Sequence, residues 1–139
     1  MPDPSDLSYD PPNLFLNNSV PLKQILYSFL DKRKRYNYNV IMEAISFEWD
    51  EKKNASNKKK HGVSFEEGQT VFVDENALMI HDPDHSDEEE RFIMLGLSAR
   101  LRVLVVCHSY RKNQASIRII SARRATRLEQ KQYWERWAK

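Results

Sequence analysis

Within twenty residues of one another the chain carries the side chains that acid–base chemistry on an anion requires: His108 and Tyr110, two positions apart, then Arg118, Arg123 and Arg124. Imidazole titrates near neutrality at its ordinary pKa, and guanidinium is permanently charged with a donor fork matched to phosphate. A phenol can act as a weak acid or as a stacking platform. RNA brings its own nucleophile, the 2′-hydroxyl, so a protein that cleaves it needs only a base, an acid and cations for the charge developing on phosphorus. This inventory is sufficient for that reaction. It also fits a satisfied structural histidine, and arginines at a solvated strand end that pair with acidic residues upstream.

The elements around these residues decide whether they can meet. Residues 116–126 read S-I-R-I-I-S-A-R-R-A-T. Alternation puts Ile117 and Ile119 on one side of a strand and Arg118 on the other, and Thr126 with Glu129 forms a capping box that opens a helix over 127–138. Two further strands, 91–97 and 101–109, precede a third at 115–121, and the short joins predict an antiparallel meander. On the middle strand Arg102, Leu104, Val106, His108 and Tyr110 share a face. Opposed strands are expected to bring Arg91 or Arg118 beside His108 and Tyr110, making one basic surface that contains a titratable group.

Upstream, Asp50 is a plausible N-cap for a polar helix that Gly62 ends, and Lys58, Lys59, Lys60 and His61 suit its C-terminus electrostatically. Ser64 and Glu67 open a short second helix with Phe65, Val71 and Phe72 on its apolar face, and residues 76–80 form a brief strand. The connector H-D-P-D-H-S-D-E-E-E matches no zinc spacing, and its two histidines read better as part of a solvated acidic loop.

Charge is divided along the chain. Residues 42–90 hold five lysines against fourteen carboxylates, whereas residues 91–139 hold twelve lysines and arginines against two glutamates, although the whole chain is only +2. A half this basic calls for an anionic partner: nucleic acid, a phosphorylated ligand or an acidic protein. One cysteine, Cys107, excludes an internal disulfide, and no apolar run reaches bilayer length, so a cytoplasmic protein is expected. Residues 1–41 carry five of the six prolines near their start, a short amphipathic stretch and the basic run Lys32 to Arg35. They read as a partly disordered extension to a domain spanning 42–139.

The segments F-E-W-D-E-K-K-N, K-K-H-G-V-S-F-E-E, H-D-P-D-H-S-D-E-E-E-R, L-V-V-C-H-S-Y and I-R-I-I-S-A-R-R-A-T occur in order from Phe47 to the last helix. Together they resemble the BrnT toxins of bacterial type II toxin–antitoxin modules. The resemblance implies a RelE-like α+β fold: a small antiparallel sheet, made of a three-strand meander plus a short preceding strand, packed with two N-terminal helices and one C-terminal helix. It implies ribonuclease activity without a metal or cofactor, inhibited translation, and neutralisation by a BrnA-like antitoxin in a heterotetramer, with operator DNA reached only through the antitoxin. Carried over by position, the catalytic candidates are His61, Arg91, His108, Tyr110, Arg118 and Arg123. The three arginines are expected to clamp phosphate, His108 or His61 to move protons, and Tyr110 to be an alternative acid or a stacking surface. Lys60, Arg102, Arg111 and Arg124 are expected to add RNA-binding charge. The competing expectation is a basic module that holds nucleic acid or the antitoxin without chemistry.

Overall fold

In a computed structural model, which describes residues 20–21, 45–82, 89–111 and 116–137, the expected meander is the middle of a wider sheet. Strand β3 (Leu78–Asp82) pairs with β4 (Arg91–Leu97), β4 with β5 (Val103–Arg111) and β5 with β6 (Ser116–Arg124), all antiparallel. Two short strands extend it. The three-residue β2 (Ser46–Glu48) lies parallel to β6, and the two-residue β1 (Val20–Pro21) lies antiparallel to β3, giving the order β1-β3-β4-β5-β6-β2. The sheet is therefore mixed, not wholly antiparallel as expected. The boundary at 41/42 and the amphipathic stretch near residues 22–30 lie outside the described residues.

Helices cover both faces. On one side stand α1 (Glu51–His61), α2 (Phe65–Gln69) and a 3-10 turn (Thr70–Val73), which bury Phe65, Val71 and Phe72 against Leu104, Val106, Ile117 and Ile119. On the other, α3 (Arg127–Trp137) lays Tyr133 over Leu78, Ile80, Leu95, Val103 and Val105. Alternation along β5 thus sorts residues between two buried layers.

The first helix has no apolar stripe and is attached by amides. Asn57 donates to the carbonyls of Val63 (2.8 Å) and Ala122 (2.7 Å) and accepts from the Ala122 N–H (3.2 Å), while Asn54 donates to Glu66 and accepts from the Phe65 N–H. Its ends are as expected: the Asp50 carboxylate accepts from the N–H groups of Lys52 and Lys53, and Gly62 takes the left-handed conformation at φ 70°. The capping box at Ser64 is only half formed. Ser64 accepts from the Glu67 N–H, but the Glu67 carboxylate turns to Ser98 and Arg102 instead.

A bulge in β6 resets its alternation. Cys107 pairs with Ser121 and His108 with Ile119, so Ile120 is the extra residue. Strict alternation would separate Arg118 from Arg123; the extra residue returns them to one side and keeps Ala122 in the core with Ile117 and Ile119.

Candidate functional site

Directly opposed residues on neighbouring strands share a face. Glu48 on β2 stands beside Arg118 on β6, Arg118 beside Ser109 on β5, Ser109 beside Arg91 on β4, and Arg91 beside Asp82 on β3. Five strands thus contribute one row of polar side chains, on the face that α3 covers but beyond the Val103–Val105 region where α3 lies. Glu89, just ahead of β4, reaches into this row. It accepts a hydrogen bond from the Ser109 hydroxyl and lies 3.6 Å from Arg111 and 3.9 Å from Arg118, while Arg111 also lies 3.6 Å from Glu48.

The row is polar yet partly withdrawn from water. Ser109 is completely buried, and Arg118 and Glu89 each expose 29% of their side chains. The Ser109 hydrogen bond is the main reason the Glu89 carboxyl is held below its ordinary value; Arg111 and Arg118 add to it against the opposing effect of burial. Glu89 is consequently ionised at neutral pH and can accept a proton. The Cys107 thiol on the same face is pushed up to about 11, chiefly by burial, with Arg91 opposing and Asp82 and Glu89 reinforcing. A thiol so protonated is not a nucleophile at neutral pH.

His108 and Tyr110 are not part of this row. The expectation that Arg91 or Arg118 would stand beside them fails, because both arginines oppose Ser109, whose side chain leaves the opposite face of β5. His108 is fully buried among Phe72 (ring centroids 4.8 Å), Phe92 and Tyr110. Its Nδ1 is 3.3 Å from the Val106 carbonyl and its Nε2 3.3 Å from the Tyr110 hydroxyl. Burial lowers its pKa to about 4 against the opposing Val106 hydrogen bond, and burial raises that of Tyr110. Both belong to the core.

The other expected residues separate further. Arg123 spends its fork on the buried Glu129 carboxylate, at 2.8 and 3.0 Å, and Glu129 completes the capping box with Thr126. The pairing forms a clasp between β6 and α3, and it engages the donor fork that was expected to hold phosphate. Arg102 pairs with Glu67 and donates to the Gly62 carbonyl, next to His61 at the end of α1, and Lys60 is exposed in the last turn. Arg124 opposes Leu104. These four lie near the start of β5, six residues from Ser109, or roughly 20 Å along an extended strand. Of the ten residues singled out, the row gathers Arg91, Arg111 and Arg118.

Four members of the row, Glu48, Asp82, Glu89 and Ser109, are not among the residues that the sequence singles out. Ser109 was legible by parity, since it alternates away from His108; Glu89 was hidden in a run of like charges. Among the described residues no group of three or more His, Cys, Asp or Glu side chains is arranged to hold a metal ion. His85 of the acidic connector lies outside them.

A helix-flanked sheet bearing a guanidinium row with an ionised carboxylate is a frame suited to handling a phosphodiester. Residues 49–129 match the family model described as ribonuclease toxin, BrnT, of type II toxin–antitoxin system. The match spans more than half of the chain, and the chain belongs to the BrnT family; a toxin of a type II system has an antitoxin as its partner. Among solved structures, the 1.1 Å-resolution crystal structure of the Brucella abortus ribonuclease toxin, BrnT, is 24% identical, with a TM-score of 0.46, covering 60% of this chain and 99% of that one. No curated protein matches the chain. No helix among the described residues is long and apolar enough to cross a membrane.

Proposed function

We propose that the chain is a metal-independent endoribonuclease whose cleavage centre is the row formed by Arg91, Ser109 and Arg118, with Arg111 and Glu89. The observation that carries this reading is the position of Glu89, an ionised carboxylate held by Ser109 within reach of two guanidinium groups. Glu89 takes the proton of a 2′-hydroxyl as its oxygen bonds to phosphorus. The bond from phosphorus to the 5′-oxygen breaks, and that oxygen takes a proton from water. Arg91 and Arg118 hold the non-bridging oxygens, where negative charge grows. In this role guanidinium is an electrostatic partner only, since arginine does not surrender a proton in proteins. The products are a 2′,3′-cyclic phosphate and a 5′-hydroxyl.

Cleavage of cellular RNA in the cytoplasm accounts for inhibited translation. A BrnA-like antitoxin relieves that inhibition in a heterotetramer and alone meets operator DNA. The test is incubation of purified protein with single-stranded RNA in EDTA, followed by analysis of the new ends. Cyclic phosphate ends that disappear in Arg91→Ala and Arg118→Ala support the reading. Intact RNA at every protein concentration, with salt-sensitive binding retained, would leave a binding module without chemistry.

A further inference from the structure

Far from the row, the β4–β5 hairpin carries a residue its own fold does not explain. Leu101 closes the turn: its N–H donates to the Ser98 carbonyl at 2.9 Å, and the Ser98 N–H donates to the Arg102 carbonyl at 2.8 Å. Leu101 adopts φ 62° and is the only non-glycine residue with a positive φ among the described residues. A side chain at this backbone conformation is disfavoured, and glycine or asparagine would relieve it. Leucine normally offsets such a cost by burial, yet Leu101 is 79% exposed. Most of its apolar surface therefore stays in water in the isolated domain.

Leu101 does not stand alone. With Arg102, Val103, Arg124, Gln130 and the 46% exposed Trp134 it lines a shallow cleft of about 250 Å³ between the hairpin and α3. A cleft this small is below the range for a drug-sized ligand but can admit one anchoring side chain of a larger partner. Its lining includes two arginines and no carboxylate, and Arg100 on the hairpin exposes 73% of its side chain. Glu67 answers Arg102 and lies 3.9 Å from Arg100, whereas Arg124 is exposed on the surface.

We infer that this cleft is where the antitoxin docks, through a segment that inserts an apolar side chain between Leu101 and Trp134 and sets carboxylates against Arg124 and Arg100. This rests on the chain's being a toxin with an antitoxin partner, and it locates that partner away from the proposed cleavage row. An aliphatic tip beside the aromatic ring favours a protein over a nucleic acid strand, which would use rings and cations without needing leucine.

Two variants of the full chain test it against the antitoxin expressed from the adjoining reading frame. Leu101→Gly removes the side chain and relieves the backbone, so its Tm should be unchanged or higher while its affinity for the antitoxin falls roughly tenfold or more. Arg124→Glu should weaken the complex and flatten its salt dependence. RNA cleavage by Leu101→Gly should persist but resist neutralisation. Equal affinity for wild type and both variants overturns the docking site and leaves the nuclease reading intact. Weaker binding of a 20-nucleotide single-stranded RNA by the variants, with antitoxin affinity unchanged, assigns the cleft to nucleic acid and also overturns it. Failure of the wild-type chain to bind that antitoxin overturns the docking site together with the partnership beneath it, whatever the cleavage assay reports.

Discussion

Glu89 accepts a hydrogen bond from the hydroxyl of Ser109, a residue twenty positions later on the middle of the sheet, and the pair fixes a carboxylate among arginines. Replacement of Glu89 by Gln keeps the shape and removes the base. Turnover in Glu89→Gln should fall by about 10²- to 10⁴-fold while RNA affinity holds or rises, because a negative charge has left a cationic site. Single-turnover cleavage alongside equilibrium RNA binding separates the two effects. Unchanged turnover would remove Glu89 from the mechanism.

The same carboxylate sets a pH profile. Its pKa lies below the ordinary 4.5, so the acid limb of the cleavage rate should fall below that value and no limb should appear near 6.5, where an accessible imidazole would titrate. A midpoint between pH 6 and 7 would point to histidine as the base.

His108 should govern stability instead. Its folded pKa of about 4 is depressed from 6.5, so the unfolded chain binds more protons in the interval between. Its contribution is fully present above about pH 6.5 and is lost as pH falls towards 4, an effect of roughly 3 kcal/mol at most. Urea unfolding at pH 7 and pH 5 should show the loss in the wild type and a smaller one in His108→Phe. Cleavage by whatever fraction of that variant folds should be near normal.

The clasp at the last helix should prove structural. Glu129 is buried, which raises its pKa, but the Arg123 fork and the Thr126 amide outweigh this and hold it low. The stabilisation is present above the unfolded carboxyl value and is lost as pH falls through the lower folded one. Arg123→Ala leaves a buried carboxylate without its counter-charge and should cost about 2–4 kcal/mol; Arg123→Lys should recover only part, since an ammonium cannot grip both oxygens. Thermal unfolding measures both, and a Tm unchanged in Arg123→Ala would return this residue to the candidate phosphate contacts.

Asn57 should be equally demanding. Asn57→Leu leaves the Ala122 N–H and carbonyl facing an apolar group next to the bulge, at a cost of about 2–4 kcal/mol. Hydrogen exchange should show the first helix opening ahead of the meander.

Local chemistry was readable in advance and long-range pairing was not. Asp50, Gly62, Ser64 and Thr126 cap helices as their types and spacing indicate, because a cap involves only a few adjacent backbone groups. Parity correctly placed Leu104, Val106, His108 and Tyr110 together, but alternation cannot say which face meets water when helices cover both. That is how a buried imidazole came to be expected on a basic surface. The extra residue at Ile120 has no glycine to mark it within I-I-S-A-R, and its consequence for Arg123 followed only from the observed register. Glu89 needed the Arg91–Ser109–Arg118 row before it could be told apart from Glu90.

The meander joins neighbours in sequence, yet Ser46 pairs with Ser116, seventy positions later. On a translating ribosome β2 emerges early and then waits for nearly the whole remaining domain before its partner strand exists. Closing so long a loop is entropically expensive, so this edge should zip up last and peel away first. An incomplete nascent chain lacks β6 and with it Arg118, so under the proposed mechanism the cell has the interval of one synthesis to have inhibitor waiting.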